Sequence, residues 1–324
     1  MRFPEYFARR TRPIISFEVF PPKTDAAMEG LRRVLPELVA LQPTFMTVTY
    51  GAMGSTRQRT LEIATLIKHE YEMESACHLT CVGSSRADID RILHDIHGAG
   101  IENIVALRGD PPKGDATFVP PPDGYAHANE LVAHIRRFEQ LSSPHGPRAA
   151  SSVSRSETTT MPAIDPFAGF GVAVGGYPEK HIESPDFPTD LANLKRKVAA
   201  GADVVITQLF YDNADFFRFV DAARAVGVTQ PIVPGLLPIQ SGKQIRRISS
   251  MCGSRIPAAL QAELEAAGDD DAQAEAAGIR QCVAQAMELL ERGVPGIHFY
   301  VLNKSSHMQR IMAALRPVIE SHAR

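Results

Sequence analysis

A single carboxylate, Glu18, interrupts the apolar run Ile14-Ile15-Ser16-Phe17-Glu18-Val19-Phe20, which the pair Pro21-Pro22 then ends. Side chains alternate along a strand, so if Phe17 and Val19 pack outward, Ser16, Glu18 and Phe20 point the other way. Burial disfavours the charged carboxylate and raises its pKa, which would let Glu18 serve as a general acid near neutral pH. The competing reading is a structural Glu paired with a Lys or Arg, and position alone leaves both open.

Other polar clusters follow apolar runs in the same way. In Ala106-Leu107-Arg108-Gly109-Asp110-Pro111-Pro112 a glycine between opposite charges permits close backbone approach to a ligand. Thr49-Tyr50-Gly51-Ala52, His78-Leu79-Thr80-Cys81, Gly176-Tyr177-Pro178-Glu179-Lys180-His181 and Thr207-Gln208-Leu209-Phe210 occupy equivalent places. Taken alone, His78 would be a hydrogen-bonded core histidine, and Cys77 and Cys81 buried thiols rather than ligands. Asp190, Asn193, Arg196 and Lys197 recur at steps of three and four, which puts them on one helix face. Such a face could hold a pyrophosphate and ribose, or could simply be solvated. The acidic stretch Gly268-Asp269-Asp270-Asp271 reads as a helix N-cap and not as a metal site, because successive residues cannot all face one ion.

Eight short apolar runs position these clusters, near residues 14–19, 45–48, 75–79, 103–107, 171–174, 204–208, 232–236 and 297–300, with helix-period segments between them. Alternation of this kind implies a parallel sheet. Small-residue turns at Gly98-Ala99-Gly100, Ala200-Gly201-Ala202, Gly227 and Gly293 precede several runs, where a helix must end. Eight units favour a TIM (β/α)8 barrel with additional helices over an open doubly wound sheet, and no Gly-x-Gly-x-x-Gly turn follows the first strand. Residues 141–166, rich in Ser, Thr, Pro and Ala, lack an apolar period and predict a mobile surface insertion in a single domain spanning 1–324.

Composition narrows the function classes. The 324 residues are 44% hydrophobic and 22% charged, enough for a substantial core. A net charge of −3 with scattered Lys and Arg lacks the footprint of a nucleic-acid binder. Four cysteines without a paired framework, no secretory leader and no apolar run of membrane-spanning length predict a cytoplasmic protein with no membrane partner.

Several of these segments, in order and over nearly the whole chain apart from 141–166, resemble the methylenetetrahydrofolate reductase family. They are Ser16 to Pro22, Thr49 to Ala52, His78 to Cys81, Ala106 to Pro111, Tyr177-Pro178-Glu179, Asn193 to Lys197, Ile206-Thr207-Gln208, Ile232-Val233-Pro234-Gly235 and His298-Phe299-Tyr300-Val301-Leu302-Asn303. The resemblance implies a flavin-binding barrel with non-covalent FAD. NADH or NADPH would give a hydride to the flavin, and 5,10-methylenetetrahydrofolate would then take it at the same face to become 5-methyltetrahydrofolate. It implies Glu18 as general acid for opening the imidazolidine ring, and Asp110 as the aspartate near flavin and pterin. Thr49, Tyr50, Ala52, His78, Arg108, Gly109, Asp110, Tyr177, His181, Asp190, Asn193, Arg196 and Lys197 look like the FAD-binding set. Gln208 and Gln244 look like folate ligands.

Three departures accompany the resemblance. Ile248 stands where bacterial members often carry an aromatic side chain, and Lys304 where an Arg often meets the folate tail, so a fork becomes a single ammonium. The chain also ends soon after the last apolar run, so no S-adenosylmethionine-sensing domain is expected. Ile248 keeps open the alternative of a flavin-bearing subunit fed electrons by a protein partner. A flavin barrel acting on another substrate, and then a non-flavin hydrolase without a metal-ligand set, rank lower. The family commonly self-associates, which makes a homo-oligomer possible.

Overall fold

The computed structural model describes residues 1–50, 55–111, 117–142 and 169–322. Among them eight parallel strands close in sequence order, β1-β2-β3-β4-β5-β6-β7-β8, with β8 pairing back onto β1. The strands are β1 (Ile14–Val19), β2 (Phe45–Val48), β3 (Ser75–Thr80), β4 (Asn103–Leu107), β5 (Gly171–Gly176), β6 (Val204–Leu209), β7 (Ile232–Leu236) and β8 (Gly296–Tyr300). The chain is therefore a TIM barrel, as its alternating apolar runs predict.

Outside this ring lie α2 (Asp25–Val39), α3 (Ser55–His69), α4 (Arg86–Gly98), α5 (Ala128–Ser142), α6 (Phe187–Ala199) and α7 (Asn213–Ala225). Three helices, α8 (Gly242–Cys252), α9 (Ala258–Ala267) and α10 (Asp271–Glu291), separate β7 from β8, and α11 (Ser306–Ser321) follows. Their apolar faces pack on the outward strand residues: Phe17 and Val19 of β1 join Leu31, Leu35 and Leu38 of α2 in the main core. Gly100, Gly201, Gly227 and Gly293 take φ of 72°, 115°, 91° and 79°, so the small-residue turns do end helices where left-handed backbone is needed. Asp270 caps α10, its Oδ1 accepting from the amides of Ala272 and Gln273 at 3.0 Å each.

One element has no counterpart in the sequence reading. Helix α1 (Phe3–Arg9) lies across the amino ends of the strands and inserts Phe3 and Phe7 beside Phe45, Val105 and Val204. This plug fills the amino end of the barrel interior with apolar side chains. Of residues 141–166, anticipated as an insertion, Leu141 and Ser142 belong to α5; the rest, like Gly51, Ala52 and Pro112, lies outside the described residues.

Candidate functional site

Glu18 sits on β1 opposite Thr47 of β2 and Tyr300 of β8. One carboxylate oxygen, Oε2, gathers the contacts: Thr47 Oγ1 donates to it at 3.2 Å, and His298 Nε2 stands 3.1 Å away. His78 Nε2 approaches the same oxygen to 3.1 Å, but off the line of a hydrogen bond. Behind His298, Ser16 Oγ lies 2.8 Å from Nδ1, and both residues are fully buried. Ser16 and Glu18 therefore point inward as alternation requires, whereas Phe20 lies beyond the strand and is 41% exposed.

The environment of Glu18 corrects the expected shift. Burial raises its pKa, but the charge of His78 and the hydrogen bond from His298 outweigh it and hold the carboxyl below the usual carboxylate range. The structural partner anticipated as Lys or Arg is a pair of imidazoles. Ser16, His298 and Glu18 form a hydrogen-bonded path along which a proton can be passed, and His78 stands beside the same carboxylate oxygen.

Glu18 and His78 line a cavity of about 420 Å³ at the carboxyl ends of the strands. Thr49, Tyr50, Arg108, Gly109 and Asp110 share its wall, together with Tyr177, His181, Gln208 and Ile248. Thr80 Oγ1, buried without a hydrogen-bond partner among the described residues, faces it too. An adjoining cavity of about 260 Å³ shares Leu107, Arg108, Gly175, Tyr177 and His181 with the first and extends to Asp190, Asn193, Arg196 and Lys197. The four residues placed on one helix face thus meet a cavity rather than bulk solvent alone. Asp190 Oδ2 accepts from His181 N at 3.1 Å, and Lys197 lies 5.6 Å from the centre of the Tyr177 ring. Burial lowers the Lys197 pKa to about 8 against the opposing charge of Asp190. Arg108 meets Glu183 through both terminal nitrogens, at 2.5 and 2.8 Å, and this partner raises its pKa.

A joined pair of cavities, one enclosing an acid and the other cationic, has room for an extended anionic cofactor beside a substrate. The methylenetetrahydrofolate reductase family model matches residues 5–316 of this sequence. The chain belongs to the methylenetetrahydrofolate reductase family. It is 38% identical to methylenetetrahydrofolate reductase (NADH) 1 of Arabidopsis thaliana over 94% of its own length, but spans only 49% of that plant relative. With 5,10-methylenetetrahydrofolate reductase of Escherichia coli it shares 34% identity, covering 90% of this chain and 86% of the bacterial one. A solved Clostridium thermocellum protein that binds two copies of 5-methyl-5,6,7,8-tetrahydrofolic acid superimposes with a TM-score of 0.60 over 98% of both chains; at 13% identity that likeness shows the fold.

Not every residue singled out for a methylenetetrahydrofolate reductase meets the cavities. Gln244 is absent from the lining of both, and its Oε1 accepts from Gln240 N at 2.8 Å. Lys304 is exposed and likewise lines neither. Ala52 lies outside the described residues. Conversely, His298 and Thr47 escaped assignment although their inward alternation was readable, and Tyr300, Cys252 and Leu302 line the first cavity. His127, Ala128 and Asn129, at the start of α5, line the second. Nothing in their sequence marks them, since they follow a loop and not a strand.

Proposed function

We propose that this chain is a single flavin-binding catalytic barrel that reduces 5,10-methylenetetrahydrofolate to 5-methyltetrahydrofolate with NADH or NADPH. The observation carrying this reading is the Glu18 carboxylate, held by His78 and His298 at the wall of a cavity joined to a cationic one. The donor set suits FAD: Arg196 and Lys197 match a diphosphate, Asp190 and Asn193 a ribose, and the unpartnered Thr80 hydroxyl a ring heteroatom. Bound there, FAD would carry a hydride from the nicotinamide to the folate.

The protein's own part is positional and acid–base. Ring opening breaks the bond from the folate's bridging carbon to N10, and N10 needs a proton as that bond breaks. We assign its delivery to Glu18, which lines the cavity together with His78 and is backed by the His298–Ser16 pair. Asp110 and Gln208, on the same wall, orient the pterin. Among the described residues no helix is long and apolar enough to cross a membrane.

Anaerobic stopped-flow of the FAD-loaded protein tests the reading. Bleaching of flavin absorbance by NADH or NADPH, and its return with methylenetetrahydrofolate, is the expected result. A folded, FAD-loaded protein that neither nucleotide bleaches would point instead to a subunit fed by a protein partner.

Lys197 gives a separate expectation for cofactor binding. Its ammonium is charged below about pH 8 and neutral above, so a bound diphosphate favours the protonated form. The dissociation constant for FAD should stay level below pH 8 and rise toward about tenfold per pH unit above it. Lys197→Met should bind more weakly at pH 7 and lose that slope between pH 8 and 9. Titration of apoprotein followed by flavin fluorescence reads both; an unchanged slope in the variant would remove Lys197 from diphosphate binding.

A further inference from the structure

Just above Glu18, the closure between β8 and β1 passes from backbone to side-chain hydrogen bonds. The last backbone rung runs from Val301 N to Glu18 O at 3.1 Å. Beyond it the chain does not continue as a strand, because Leu302 and Asn303 both take left-handed backbone, with φ of 50° and 54°. Asn tolerates that conformation better than most residues, but Leu does not, so the turn is held against its local preference. Lys304 N closes the turn by donating to Val301 O at 3.1 Å, and the Asn303 side chain ties it to β1. Its Oδ1 accepts from Phe20 N at 2.9 Å and its Nδ2 donates to Phe20 O at 2.8 Å, so one amide satisfies both polar groups of a single residue as a neighbouring strand would. Pro21 and Pro22 follow directly and offer no backbone donor, so the Asn303 pair is the final tie on this edge of β1 among the described residues. On the other edge Thr49 N donates to Val19 O at 2.9 Å. The same left-handed turn brings Leu302 into the wall of the Glu18 cavity.

We infer that Asn303 is a positioning residue for the proton-transfer step: its amide fixes the backbone at Phe20, two residues from Glu18, and thereby sets the Glu18 carboxylate against the substrate in the cavity. The inference rests on the proposed reductase function. Hydride transfer from NAD(P)H needs no proton from Glu18, so displacing Glu18 by a fraction of its reach should slow only the folate half of the cycle.

Three FAD-loaded proteins test this: wild type, Asn303→Gly and Asn303→Asp. Glycine keeps the left-handed turn but removes the amide, which separates the clamp from backbone strain. Asp keeps the oxygen that receives Phe20 N and loses the donor to Phe20 O. The variants should retain FAD, melt as cooperatively as wild type, and be bleached by NAD(P)H within about twofold of the wild-type rate. Reoxidation by methylenetetrahydrofolate should fall about thirtyfold in Asn303→Gly and less in Asn303→Asp, with the folate concentration for half-maximal rate little changed. Wild-type reoxidation rates in Asn303→Gly would overturn the assignment. Equal losses in both half-reactions would overturn it too, as they would mark a general scaffold role. A wild-type protein that folate never reoxidises would instead count against the proposed function itself.

Discussion

Glu18→Gln should leave the flavin bound and bleached by NAD(P)H, while folate-dependent reoxidation falls by about 10³-fold. The amide keeps the size and the acceptor oxygen that Thr47 and His298 address, but it cannot pass a proton from the imidazoles into the cavity. The loss should therefore appear in the rate of reoxidation and not in folate affinity, the pattern of an interaction made only in the transition state. Stopped-flow of the two half-reactions separates these quantities. Full folate turnover in the variant would remove Glu18 from the acid role and leave the cluster a structural one. Geometry sharpens the expectation, since Glu18 lines the cavity and His298 contacts its carboxylate directly. His298→Gln should accordingly slow the same half-reaction, but by less, because His78 still faces the carboxylate.

The strands were legible because a parallel strand buried on both faces reads as a continuous apolar run. Where that signal fails, so do the boundaries: β5 extends through Gly175 and Gly176, which pair with Ile206 and Thr207 but carry no apolar side chain to announce it. Helix α1 was missed for a related reason, since its two buried phenylalanines are diluted among charged residues. Glu18 could be found as a carboxylate in an apolar strand, yet the sign of its pKa shift could not. That sign depends first on the charge of His78 on β3 and then on His298, 280 residues away, which the closing pair of strands brings opposite Ser16. Family motifs located Gln244 as well, but a motif does not reveal that the side chain turns back to the Gln240 amide.

Gly235→Ala should cost about 3 kcal/mol of stability, although it adds one methyl group. Gly235 in β7 donates its amide to Thr207 Oγ1 at 3.0 Å, and a Cβ there would stand 2.1 Å from the Thr207 carbonyl oxygen and 2.8 Å from the Tyr300 ring and hydroxyl. Tyr300 donates its hydroxyl to that same carbonyl at 2.7 Å. Neither neighbour can yield cheaply, since one is barrel backbone and the other a ring whose pose depends on it. The β6–β7 register is already irregular between Ile206 and Leu209, so strain should concentrate there. Tyr300 also lines the Glu18 cavity, which makes a displaced ring a defect of the site as well as of the fold. The variant should lose both denaturant resistance and folate turnover. Gly30→Ala provides the contrast: within α2 nothing lies within 4 Å of the added Cβ, so it should stabilise by about 0.5–1 kcal/mol and leave turnover intact. Urea unfolding of the two variants compares them directly, and equal midpoints would refute the close-approach account of Gly235.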